Sequence, residues 1–160
     1  MSSSDDLIRQ ARAAVYPLPS STPRSRRTIL TCMDTRIDPL AALGLALGDA
    51  HVLRNAGGIV TGDVIRSLIV SQRTLGTNRI DVMMHTECGM LRLDEPALRA
   101  AITVDTGVSF DRSFGSFADL ETELRRGVDV LRGTAALADV SHVRGFVLDV
   151  GSGHTRLVVS

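Results

Sequence analysis

Thr28-Ile29-Leu30-Thr31-Cys32-Met33-Asp34-Thr35-Arg36 decides the fold, because it joins a β-branched apolar run to a cluster of chemically active side chains. Thr28 to Thr31 reads as a short buried strand. The stretch Pro17-Leu18-Pro19-Ser20-Ser21-Thr22-Pro23 before it reads as an extended linker. Further upstream, Leu7, Ile8, Ala11 and Val15 keep helical spacing and predict a short helix over 5–15. The expected division is an N-terminal arm and linker at 1–23 and a single α/β domain at 24–160.

Downstream of the opening strand the elements alternate. Asp38-Pro39 predicts an N-cap with proline at the first helical position, and Gly48 closes that helix. His51 to Arg54 reads as a second strand, and Asn55-Ala56-Gly57-Gly58 as a loop. Thr61 caps a long helix with Ile65, Leu68, Ile69 and Leu75 apolar and Gly76 past its end. Arg79 to Met84 predicts a third strand. Glu95-Pro96 opens a short helix, and 106–114 reads as loop. Ser116 and Asp119 form a capping-box-like start to a helix with Phe117, Leu120, Leu124, Val128 and Leu131 on one face. Residues 145–150, the turn Gly151-Ser152-Gly153 and Leu157-Val158-Val159 predict a hairpin. The fold class is α/β: a mostly parallel four-stranded sheet with one antiparallel edge strand, helices on both faces and an N-terminal helical arm.

The 160 residues carry 18 basic and 18 acidic side chains, and this balance argues against nucleic acid as a partner. Every basic residue is arginine. No apolar run is long enough to span a membrane. Met1-Ser2-Ser3-Ser4-Asp5-Asp6 lacks the basic and apolar regions of a signal peptide, so the cytoplasm is the expected compartment. Thiols stay reduced there and favour metal binding or catalysis.

Only two cysteines are present, Cys32 and Cys88, and the second closes the run His85-Thr86-Glu87-Cys88-Gly89. Two thiolates and an imidazole are donors that Zn²⁺ prefers, and a catalytic zinc site has three protein ligands and one exchangeable position. Cys32 ends the first strand and His85 the third. If the second strand lies on the far side of the first, both clusters face the crevice where strand order reverses. Continued extension over 32–36 would point Cys32, Asp34 and Arg36 to one side. Three other readings stay open: two buried apolar cysteines, a disulfide, or a closed structural zinc site with Asp34 as fourth ligand. His51, His142 and His154 lack ligand spacing and read as structural or exposed.

Three motifs together resemble the β-class carbonic anhydrases: Cys32-x-Asp34-x-Arg36, Arg54-Asn55-Ala56-Gly57-Gly58 and His85-Thr86-x-Cys88-Gly89-Met90. The resemblance is strong over about 28–92 and closest to the short prokaryotic branch. It implies Zn²⁺ held by Cys32, His85 and Cys88, with water or Asp34 in the fourth position. It implies interconversion of CO₂ and bicarbonate by a zinc-bound hydroxide that Asp34 orients and Arg36 supports. Backbone amides at Gly57 and Gly58 would bind the substrate oxygen, and Ile59, Val60 and Met84 would line an apolar pocket. It further implies a homodimer or dimer of dimers, with the N-terminal arm packed on a neighbour. Ile29 stands where some bacterial members carry a tryptophan of an inhibitory bicarbonate site, so that regulation is not expected here. Two rival functions are a zinc hydrolase of another small linear molecule such as carbon disulfide, and a non-enzymatic zinc-binding regulatory module.

Overall fold

The computed structural model describes residues 19–160, so the predicted helix over 5–15 lies outside the described residues. Among these residues five strands form one sheet: β1 (Arg27–Cys32), β2 (Ala50–Asn55), β3 (Arg79–His85), β4 (Val143–Leu148) and β5 (Thr155–Val159). Their order is β2-β1-β3-β4-β5. The first four run parallel, and β5 pairs antiparallel with β4 as the second arm of the predicted hairpin. Strand order therefore reverses between β1 and β3, where the sequence places the ligand clusters.

Among the described residues three α-helices accompany the sheet: α1 (Gly62–Arg73), α2 (Glu95–Thr106) and α3 (Leu120–Arg132). Register shows which face α1 and α3 cover. Thr28 and Leu30 of β1 lie opposite Ile80 and Val82 of β3, which lie opposite Val143 and Gly145 of β4. Thr28 shares a 2.7 Å hydrogen bond with Ser71 of α1, and a Cβ on Gly145 would lie 3.1 Å from Leu124 of α3. Both helices thus pack on one face. Right-handed crossovers send the β1–β2 connection over the other.

That connection departs from the sequence-based helix beginning at Asp38. It holds one 3₁₀ turn, Ala41–Leu43, closed by Gly44 in the left-handed region at φ 66°. Asp38 accepts hydrogen bonds from the Leu40 and Ala41 amides at 3.1 Å, as a cap would. Gly44 then ends the helical path early and the chain turns toward β2.

The core is mainly apolar. Leu30, Leu68, Ile80, Leu124, Val128 and Leu131 have no exposed surface. Burying each such side chain contributes about 1.5–3 kcal/mol, and this stripe anchors α3 to β3 and β4. The start of α3 is Asp119, whose carboxylate accepts the Thr122 amide at 2.8 Å; Ser116 is not its cap. Phe117 is drawn instead into a bridge with Leu91. α2 is longer than the short helix expected at Glu95, and none of its residues is buried. Asp81 is fully buried on the opposite face of β3, where Arg27 and Arg144 both pair with its carboxylate.

Candidate metal centre

Cys32 is the last residue of β1 and His85 the last of β3, and Cys88 follows three residues later in the loop. All three are buried, and their donor atoms lie within 4.8 Å of one another. The two Sγ atoms are 4.0 Å apart. The crevice between β1 and β3 brings them together from 56 residues apart in sequence.

His85 is prepared for metal through its second nitrogen. Its Nδ1 lies 2.8 Å from the Thr86 carbonyl, which only an N–H can satisfy, so Nε2 carries the lone pair. That Nε2 is buried without a hydrogen-bond partner, an arrangement a cation relieves. Burial also pushes the imidazole pKa down and keeps the ring neutral, as a ligand must be. Burial pushes the Cys88 thiol up, and the neighbouring Cys32 adds to that shift. Two sulfurs so placed become thiolates at neutral pH when a cation shares the site. The donor set fits Zn²⁺.

The Asp34–Arg36 pair stands beside this cluster, although not through an extended strand. After Cys32 the chain turns: Asp34 Oδ1 accepts the Arg36 amide at 2.9 Å, and the Asp34 carbonyl accepts the Ile37 amide at 3.2 Å. An aspartate bonding its own backbone two residues on is a familiar turn former. It bends the motif and still seats the pair. Arg36 donates from Nε to Asp34 Oδ1 at 3.0 Å and from Nη2 to Oδ2 at 2.8 Å. The Arg36 guanidinium holds the Asp34 carboxyl well below the usual carboxylate range. Asp34 Oδ2 is 4.0 Å from His85 Nε2, so this carboxylate borders the place a metal would take.

Three side chains that sequence reasoning left without roles complete the surroundings. Arg54 donates to the carbonyls of Cys32 at 2.9 Å, Asp34 at 2.6 Å and Ile37 at 3.2 Å, bracing the turn from behind. Asn55 exchanges hydrogen bonds of 2.8 and 3.0 Å with the Ile59 backbone and closes the glycine loop. Glu87 has φ 55°, a left-handed conformation that costs a non-glycine residue about 1 kcal/mol. Its carboxylate accepts Arg36 Nη1 at 3.0 Å. The motif marked Arg54 and Asn55 only as motif members, and Glu87 carried no signal beyond lying between two ligands.

The pocket over the cluster has a volume of about 470 Å³ and is lined by Met33, Ala56, Gly57 and Met90 together with Cys32, Asp34, Arg36 and Cys88. Gly57 thus faces the site, whereas Gly58 is pressed against the β1 backbone. The expected lining residues Ile59, Val60 and Met84 do not border this pocket. Val60 packs toward Gly127 of α3, and Met84 belongs to the buried core. Ile59 packs toward Gly115. His51 is structural, tied to Ser71 and the Ser21 carbonyl at 2.8 and 2.9 Å. A larger cleft of about 780 Å³ between α3 and the β4–β5 hairpin contains none of the cluster residues. Its Arg125 and Arg156 both pair with Glu121. Among the described residues no helix is long and apolar enough to cross a membrane.

The chain is similar to known proteins in sequence and in fold. A family model described as carbonic anhydrase matches residues 27–108. β-Carbonic anhydrase 1 of Mycobacterium tuberculosis is 41% identical over 137 residues, covering 86% of this chain and 83% of its own. A carbon disulfide hydrolase of Acidianus is 33% identical over 159 residues, covering 84% and 78%. The crystal structure of a carbonic anhydrase from Streptococcus mutans superposes with a TM-score of 0.88 at 39% identity, covering 99% of this chain and 98% of that one. With its cysteine–histidine–cysteine cluster at the β1–β3 crevice, the chain belongs to the β-class carbonic anhydrase family.

Proposed function

We propose that the protein is a zinc-dependent carbonic anhydrase that interconverts CO₂ and bicarbonate. The observation that carries this reading is the buried, unpartnered Nε2 of His85 among two thiols, with an ionised carboxylate at its edge. Cys32 Sγ, His85 Nε2 and Cys88 Sγ would hold the ion. When bound, zinc supplies the acidity that makes a hydroxide nucleophile available near neutral pH.

The chain's own residues do the rest. Asp34 accepts the hydrogen of the nucleophile at a carboxylate oxygen and so directs its lone pair toward the carbon of CO₂. Arg36 keeps that carboxylate ionised and fixed through two parallel hydrogen bonds. Met33, Met90, Ala56 and Gly57 offer apolar lining to an apolar substrate. The Gly57 amide is the candidate donor to the developing bicarbonate oxygen. Gly58 keeps that loop close to β1. A closed structural zinc site needs no oriented carboxylate–guanidinium pair, which favours an enzyme over a regulatory module. A homodimer or dimer of dimers acting in the cytoplasm completes the reading. Met33, apolar and 65% exposed at the pocket, is the kind of surface a neighbouring subunit would cover.

A second reading has a specific observation behind it: carbon disulfide hydrolases are among the relatives, and the same site can serve another linear triatomic substrate. Stopped-flow CO₂ hydration and sulfide release from carbon disulfide, measured on one zinc-loaded sample, separate the two. Fast CO₂ hydration with negligible sulfide release is expected. The opposite pattern would replace the first reading with the second.

A further inference from the structure

Asp34 and Arg36 are two residues apart on one turn, so their pair can move as a unit. Nothing in the pair itself fixes where the carboxylate stands relative to His85 and Cys88. Arg54 braces the turn through its backbone carbonyls, and the contacts that reach the side chains of the pair come from the other ligand-bearing loop. Glu87 lies between His85 and Cys88 in sequence, and its Oε2 accepts Arg36 Nη1 at 3.0 Å. The Glu87 carbonyl accepts Arg36 Nη2 at 3.3 Å. The guanidinium is therefore spent on two carboxylates and a carbonyl, and it joins two loops 51 residues apart in sequence. The left-handed backbone at Glu87 supports this arrangement, because the turn that returns Cys88 to the cluster also presents the Glu87 carbonyl and side chain to Arg36.

We infer that Glu87 is a positioning residue: it holds Arg36, and through Arg36 the Asp34 carboxylate, in register with the metal centre. Asp34, Arg36 and Glu87 act as a triad rather than a dyad and an unrelated surface acid. Glu87 is 70% exposed and Arg36 46% exposed, so the pair contributes little to folding; its effect lies in geometry. This role rests on the proposed carbonic anhydrase activity only for its catalytic consequence. The restraint on Arg36 is a property of the chain with or without turnover.

The test uses zinc-loaded full-length wild type, Glu87→Ala, Arg36→Ala and the double variant. Alanine keeps a Cβ at the left-handed position, so the backbone penalty is unchanged. Glu87→Gln, which keeps the length and loses the charge, is the second variant should the first fold poorly. The first readout is the NMR order parameter of the Arg36 Nη1–H, the group that donates to the Glu87 carboxylate, assigned by its absence in Arg36→Ala. It is expected to be high in wild type and to fall markedly in Glu87→Ala, and an unchanged value overturns the proposal. The second is kcat/KM for CO₂ hydration. Glu87→Ala is expected to lower it roughly tenfold, the usual scale for a residue acting through another at a metal site, and to have little further effect once Arg36 is gone. An equal loss in both backgrounds means that Glu87 acts independently of Arg36, which also overturns the proposal. Loss of Arg36 order in Glu87→Ala, with no CO₂ hydration by wild type, would uphold the positioning role and remove the proposed activity.

Discussion

Gly58 lies so close to β1 that a Cβ placed on it would sit 2.8 Å from the Cys32 amide nitrogen. The same Cβ would lie 2.9 Å from the Thr31 carbonyl carbon. The obstacle is main chain, which cannot swing aside as a side chain can. Gly58 also has φ 66°, in the left-handed region. The glycine loop therefore fixes the position of the strand that carries a candidate ligand.

Gly58→Ala should consequently move the β1 terminus or strain the loop. A stability loss of about 2–4 kcal/mol is expected, combining overpacking with left-handed strain. Urea unfolding of the zinc-loaded protein measures it, and weaker zinc retention should accompany the loss. A stability change below about 0.5 kcal/mol, the range of an inert surface substitution, would contradict the close packing.

Arg54 braces three carbonyls of the turn that bears Asp34, at 2.9, 2.6 and 3.2 Å. A planar fork suits that task and a single ammonium does not. Arg54→Lys is expected to cost about 1–2 kcal/mol, the lower range for hydrogen bonds from a charged donor in a partly exposed place. It should lower CO₂ turnover more than it lowers zinc content, because the turn seats Asp34 while Arg54 touches no ligand side chain. Parallel unfolding, metal and rate measurements check this, and an unchanged rate would reduce Arg54 to scaffold.

Glu95 makes a pH-dependent tie between α2 and the loop beyond it. Its carboxylate accepts the Ser116 amide at 2.9 Å and the Ser113 hydroxyl at 3.1 Å. These bonds, the Ser116 amide foremost, lower its pKa from 4.5 to about 2. A carboxyl depressed on folding stabilises the folded state above its unfolded value and loses that contribution as pH falls through the folded value. The stability advantage of metal-free wild type over metal-free Glu95→Gln should thus be constant above about pH 5 and shrink steadily below about 4.5. Urea midpoints of the two proteins across that range decide it, and an advantage independent of pH would show that the charge is unimportant.

Much of the layout was legible because its signals are local. The β-branched run before Cys32 and the Thr61 cap, whose hydroxyl accepts the Val64 amide at 3.3 Å, needed no tertiary information. Where glycine or a distant partner intervened, local signals failed. Gly44 reduced the Asp38 helix to one turn. Glu95 captured the Ser116 amide, and Leu91 captured Phe117, so α3 starts later than its pattern predicts. At the candidate site, the grouping of Cys32, His85 and Cys88 could be anticipated from residue type and from their places at the ends of the first and third strands. The contacts of Arg54 and Glu87 could not, because they depend on turns after β1 and β3 that the sequence does not reveal.

The most direct test measures zinc per chain and CO₂ hydration on matched preparations of wild type, Cys88→Ser and Arg36→Ala. Stoichiometric zinc and rapid hydration are expected in wild type, and loss of both in Cys88→Ser because one of three donors is gone. Arg36→Ala should retain its zinc, since Arg36 is not a ligand, and lose about 10–100-fold in turnover. Full zinc retention in Cys88→Ser, or unchanged turnover in Arg36→Ala, would contradict the account.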